Sequence, residues 1–254
     1  MSAYSTPLLD SFKQGDVERD VRLLAAKGAL APRVHEQLAL LMLLINDSDG
    51  EVASAADATV RALPADVLSI FLSRTDVSNE MRAFFAGRGV QPADMPGDER
   101  DDQPLIDQGE VAEEVKDADE KNTLQRIAAM SVAQRVVTAM KGTREERAIL
   151  IRDPNKLVTG AVLSSPKLTE TEVESIAKMT TVSEEALRTI GRTRAWMKNY
   201  AVASGLARNP KTPVALSMNL LARLTDKDLR MISTDRNVPD VLRQSAKRKL
   251  VADR

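Results

Sequence analysis

The sequence predicts an all-α protein, an α-solenoid in which helix pairs stack along the chain. Three observations carry that prediction. The first is composition. Aromatic residues are only 3% of the chain, and Leu, Ala, Val, Ile and Met supply the apolar content. That suits close helix packing better than strands, which favour β-branched and aromatic side chains. The second is punctuation. S/T-x-x-E/Q patterns stand in front of periodic apolar segments, and no stretch joins Val/Ile/Thr alternation to a hairpin signal. The third is repetition. NKLVTGAVLSSPK, from Asn155, and NYAVASGLARNPK, from Asn199, match in register 44 residues apart. A helix pair cannot bury its apolar face alone, so the same pair recurs and a continuous core runs along the stack.

The N-terminal zone, residues 1–93, reads as helices. Thr6-Pro7 starts the first, because proline is preorganised for the first helical position. Pro32 opens RVHEQLALLMLLIN, whose longest apolar run, Leu38 to Ile45, is too short for a bilayer span of about 20 residues and reads as a buried helix. NDSDG (46–50) is a turn. Val52, Ala55, Ala56, Thr59, Val60 and Leu63 then share one helical face. Pro64 begins another helix, and TDVSNEMRAFFAG closes the zone at Gly87.

The net charge of -1 conceals three zones. Residues 1–93 carry net -3, residues 94–121 net -9, and residues 122–254 net +11. The middle zone is rich in Asp and Glu and punctuated by Pro96, Gly97, Pro104 and Gly109. Such a segment buries too little apolar surface to offset its ordering entropy, so 94–121 is expected to be a disordered, extended linker between two helical domains.

In the C-terminal zone, 122–254, capping boxes are predicted at Ser131 with Gln134, Thr143 with Glu146 and Thr169 with Glu172, with a looser version at Thr225 and Asp228. Pro154, Pro166, Pro210, Pro213 and Pro239 fall between segments. In the 44-residue register Asn155 meets Asn199, Val158 meets Val202, Ala161 meets Gly205, and Pro166 meets Pro210. A second echo runs VSNEMR from Val77, VSEEALR from Val182 and VPDVLR from Val238. Each opens a helix after a turn.

LLINDSDGEVASAADATVRALP, Leu43 to Pro64, resembles a HEAT repeat. Asp47, Asp49, Val52, Ala55, Ala56 and Leu63 fill that repeat's D-x-D, Val, small-residue and Leu places, while Ala53 stands where an Arg is expected. The C-terminal zone resembles bacterial proteins with degenerate HEAT-like repeats in its RDPNKLV and NPKTP segments. The likeness covers about two thirds of the chain. It implies scaffolding and protein binding in most cases, nucleic-acid binding in a minority and catalysis in a few. That is an analogy of fold, which does not by itself fix function.

Chemistry is mostly excluded. There is no cysteine, hence no disulfide, thiolate metal site or cysteine nucleophile. Lack of cysteine, and an N-terminus without a signal-peptide pattern, suit a cytoplasmic protein. The single histidine, His35, is expected at the surface or at a boundary. No GxGxxG, Walker A, GxSxG or HExxH pattern is present. DSDGE (47–51) lacks the spacing of a calcium loop. Neither a cofactor nor a metal site is expected, and no set of residues fills catalytic roles.

The informative polar cluster joins Arg152, Asn155 and Lys156 to Arg192, Arg194, Trp196, Lys198, Asn199 and Tyr200. The register would set basic and aromatic groups in a ladder. Arg152, Lys156, Arg192, Arg194, Trp196, Lys198 and Tyr200 are therefore the candidate partner-binding residues. Alternatively the two asparagines form a structural ladder between repeats, and Trp196 lies in the core. The expected function is a non-catalytic scaffold binding a protein or peptide through its groove and basic C-terminal face, whose charge suits an acidic partner. The alternative is nucleic-acid or polyanion binding by the same basic zone. The acidic linker reads as a solvated spacer; alternatively it occupies that face and competes with an acidic partner.

Overall fold

A computed structural model of the chain describes residues 6–30, 32–94, 102–107 and 120–252. The described residues are helical throughout, with turns between and no strand among them. None of their helices is long and apolar enough to cross a membrane. The chain forms two compact units, one of residues 1–147 with 155–167, the other of residues 148–154 with 168–254.

The first unit contains α1 (Pro7–Gln14), α2 (Arg19–Ala26), α3 (Val34–Leu44), α4 (Gly50–Arg61), α5 (Ala65–Leu72), α6 (Asn79–Ala86), α7 (Glu120–Ala129), α8 (Val132–Lys141) and α10 (Lys156–Ser164). Between α8 and α10 runs α9 (Arg144–Leu150). Helices this short are marginal alone, so packing must hold them. Helix α3 is the apolar centre, with Leu38, Leu40, Leu41 and Leu44 almost wholly buried. Helix α4 packs on α2 and α3, and α10 on α1 and α8. The α1–α10 contact is close. The Leu8 N–H donates to Ser164 Oγ at 3.2 Å, and a Cβ built on Gly160 would lie 3.6 Å from Pro7 Cβ.

The second unit contains α11 (Glu170–Lys178), α12 (Glu184–Arg192), α13 (Arg194–Met197), α14 (Tyr200–Arg208), α15 (Val214–Leu220), a 3-10 turn (Leu221–Arg223), α16 (Asp226–Thr234) and α17 (Asp240–Ala252). Its main packing pairs are α16 with α17 and α11 with α14. At Gly205 on α14, a Cβ would come within 3.3 Å of Ala177 Cβ and 3.2 Å of Lys178 Cγ on α11. The smallest residue sits where the two helices cross.

The start signals act as the sequence predicts. Thr6 caps α1, accepting from the Leu9 N–H. Asp49 caps α4. Full capping boxes form at Ser131/Gln134 and Thr169/Glu172, and reciprocal bonds join Thr143 and Glu146. Each of the three V-S/P echoes buries its valine, Val77, Val182 and Val238, below the turn that opens α6, α12 or α17. Ser78 and Ser183 cap α6 and α12.

The structure adds to the sequence reading at four points. Boundaries drawn from charge at 93/94 and 121/122 differ from the compact units, because α7, α8 and α10 fold with α1–α6. Apolar packing decides this, and net charge is blind to it. Most of the linker region lies outside the described residues. Its residues 102–107, however, are held against α3 rather than free, because Gln37 satisfies their backbone and Ile106 finds an apolar contact. His35 is buried, 4% exposed, with its ring edge-on to Phe71 at 4.7 Å. The inward face of α3 extends into its first turn. Finally, Asn155 and Asn199 make the same local bond. Each is the N-cap of its own helix, accepting from the Leu157 N–H at 2.8 Å and the Ala201 N–H at 2.9 Å.

Candidate functional site

The seven candidate binding residues are divided between the two compact units. Lys156 belongs to the first compact unit and the other six to the second. Within the second, Arg152 lies beside Met179, its Nη2 3.9 Å from Sδ. Arg192, Arg194 and Lys198 are exposed along the end of α12 and the short α13, and Trp196 between them is half-buried. These three cations carry no ion pair among the described residues. Tyr200 has a structural task instead. Its hydroxyl donates to the Asp228 carboxylate and accepts from the Thr225 N–H at 3.0 Å, tying the start of α14 to the start of α16.

A cleft of about 610 Å³ opens at the other end of α14. Along α14 the cleft runs from Ser204, about 6 Å from Tyr200, to Arg208, about 12 Å from it. The helix ends of α11, α14 and α16 line the cleft with Lys178, Arg208 and Asp235, and the turns that follow add Thr180, Asn209 and Asn237. Ser204 and Gly205 of α14 complete the lining.

Local chemistry fixes most of these groups. Asn209 is 5% exposed, and its Nδ2 donates to the Ala177 and Met179 carbonyls, both at 2.9 Å. Its Oδ1 accepts from the Lys211 N–H at 3.0 Å. Asp235 Oδ1 accepts from the Asn237 N–H at 2.9 Å, an Asx turn. Lys178 pairs with Glu174 at 2.6 Å. Arg208 differs. It is half-buried and has no carboxylate at ion-pair distance among the described residues. Its guanidinium offers planar, bidentate donors that can hold a carboxylate or phosphate, and Ser204 and Thr180 line the same cleft.

Sequence reasoning missed Lys178, Arg208 and Asn209. The only signal was the 44-residue register, in which Asn209 answers to Ser165. Ser165 Oγ donates to the Met140 carbonyl at 2.8 Å and receives the Lys167 N–H at 3.3 Å. Two different residue types thus do one job, linking a helix end to the following turn.

A second polar cluster lies in the first unit. His35 Nε2 is 3.6 Å from Asp76 Oδ2, and Arg74, only 3% exposed, pairs with Asp76 at 2.7 Å. The Arg74 guanidinium holds the Asp76 carboxyl below its ordinary range, and burial pushes the His35 pKa down. Beside it Glu36, wholly buried, accepts a hydrogen bond from Thr6 Oγ1, and burial raises its pKa to about 7. Among the described residues no group of three or more metal-ligating side chains is assembled.

Comparison with protein-family models, with curated proteins and with solved structures finds no match to this chain.

Proposed function

We propose that this protein is a cytoplasmic, non-catalytic HEAT-like helical-repeat scaffold whose basic second unit binds an acidic protein or peptide partner. The observation that carries the reading is Arg208, a half-buried guanidinium without a carboxylate partner among the described residues, in the lining of a cleft. A partly desolvated cation gains more from an incoming carboxylate than a fully solvated one does. The exposed Arg192, Arg194 and Lys198 would add long-range attraction. The repeat reading is supported by the two asparagine-capped helices and by the three buried valines at equivalent turns.

The test uses the full chain, since residues 122–254 do not correspond to one compact unit. A fluorescein-labelled oligoglutamate peptide is titrated by anisotropy at 50 to 300 mM salt, beside a single-stranded oligonucleotide. The scaffold reading expects peptide binding that Arg208→Ala weakens about tenfold, the loss of one charge-assisted contact. Oligonucleotide binding with a steep salt slope, unaffected by Arg208→Ala, would favour the nucleic-acid alternative. No binding of either probe at 50 mM salt removes both.

A further inference from the structure

The acidic stretch contributes one well-placed segment, Asp102-Gln-Pro-Leu-Ile-Asp107, and its contacts have the form of a bound peptide. Gln37 is 2% exposed, and its side-chain amide is spent on the segment's backbone. Oε1 accepts from the N–H groups of Leu105 at 2.8 Å and Ile106 at 3.2 Å, while Nε2 donates to the Ile106 carbonyl. The Val34 N–H, unsatisfied within its own helix, donates to the Asp102 carbonyl at 3.2 Å.

Side chains then set the register. Ile106 lies against Gly28, where a Cβ would stand 3.0 Å from Ile106 Cγ2 and 3.7 Å from Thr59 Cγ2. Gly28 has φ +74, a conformation that also excludes larger residues. At the two ends sit acids on buried cations. Asp107 pairs with Lys141, whose side chain is 6% exposed against 48% for the aspartate. Asp102 lies 3.5 Å from Arg74, 3% exposed against 43%. The cations belong to the wall, and the segment brings a carboxylate to each, beside the Asp76 that the wall already sets on Arg74. A buried cation is strongly favoured to keep an anionic partner; Arg74 already has Asp76 at 2.7 Å, so Asp102 adds a second acid there, while Asp107 supplies one to Lys141.

We propose that this channel on the first unit, floored by Gln37 and Gly28 and ended by Arg74 and Lys141, is a peptide-docking site, and that residues 102–107 occupy it in cis. The partner it fits is an extended segment of another protein with an acid, a central aliphatic pair and a second acid five positions after the first. Reading backbone through an amide while side pockets read alternate side chains is a recurring mode of peptide recognition. The tethered copy competes at an effective concentration of about mM, so an incoming segment must displace it. This inference is independent of the Arg208 cleft, which lies in the other unit.

The test is made on the full chain with a fluorescein-labelled peptide Asp-Gln-Pro-Leu-Ile-Asp. A variant carrying Leu105→Ser and Ile106→Ser weakens the cis copy and leaves the wall untouched. The expected result is peptide binding at least tenfold tighter to this variant than to the unsubstituted chain, abolished by Gln37→Ala in the same background. Equal affinity for variant and unsubstituted chain overturns the proposal. A second measurement needs no variant: amide hydrogen exchange of the unsubstituted chain. Leu105 and Ile106 should exchange more slowly than in the free peptide, faster than Leu40 and Leu41 of α3, and faster still when excess peptide is added. Exchange at the rate of the α3 core, unmoved by peptide, would mean the segment is part of the core and not a ligand.

Discussion

Asn209 holds the end of one helix to the end of another. Its Nδ2 donates to both Ala177 and Met179 at the close of α11, while Asn209 itself is the residue that ends α14. The side chain is buried, so water cannot replace either bond. Asn209→Ala is expected to cost about 2 kcal/mol, because two helix-end carbonyls lose a partner. Asn209→Asp should cost at least as much, since it keeps the acceptor for Lys211 but has no donor. Urea denaturation of the three proteins checks this. An Asp variant as stable as the parent would show that the donated bonds contribute nothing.

Asn155 and Asn199 make the same local bond on helices 44 residues apart. Replacing either with Ala should cost about 1 kcal/mol, and replacing it with Asp should cost little, because Asp caps equally well. Thermal unfolding distinguishes the two substitutions. If Ala and Asp behave alike at both positions, the cap is not what matters there.

Tyr200 was a candidate for stacking on a partner, yet its hydroxyl is engaged with Asp228 and Thr225. Tyr200→Phe removes these bonds and keeps the ring. A loss of about 1 kcal/mol is expected, or a fall in Tm of roughly 2–4 °C, with no change in binding of the acidic peptide. A variant of unchanged Tm but weakened binding would return Tyr200 to the binding surface.

Glu36 makes stability depend on pH. Its pKa is about 7 in the fold against 4.5 unfolded, because burial disfavours the carboxylate. The folded state therefore binds more protons than the unfolded state between those values. The stability from the neutral acid is fully present below pH 4.5 and is lost as pH rises through about 7. The loss amounts to about 3 kcal/mol. His35, lowered from 6.5 by burial, acts in the opposite sense, losing stability as pH falls below 6.5. Both proteins in the comparison retain it. Glu36→Gln should flatten the difference in urea midpoint between pH 5 and pH 8, and should be the more stable protein at pH 8. Parallel pH profiles for the two would show that Glu36 does not titrate there.

Gly142 follows α8, and a Cβ there would lie 2.5 Å from the Thr138 carbonyl and 2.2 Å from Glu146 Oε2. The carbonyl is backbone and cannot swing aside. Gly142→Ala should destabilise by about 2 kcal/mol, with part of the loss from disturbing the Thr143–Glu146 reciprocal cap. A stable Gly142→Ala protein in differential scanning calorimetry would refute the close approach.

The sequence by itself determined the helices, their starts and the turns between them. Those features are local: a Thr or Ser caps the N–H three residues on, and a proline stops one helix or starts the next, whatever lies beyond. The all-α class, the boxes at Ser131 and Thr169 and the helix openings at Val77, Val182 and Val238 were legible for that reason. Tertiary structure alone decided what meets what. Helix α10 joins α1 across a gap of some 150 residues, His35 turns inward onto Phe71, and Ser165 and Asn209 do one job with different side chains. It also set an acidic hexapeptide on Gln37 and left Arg208 without a carboxylate among the described residues. Each of these depends on contacts between distant segments, and such contacts are set by shape and burial in three dimensions. Neither periodicity nor charge counting along the chain records them.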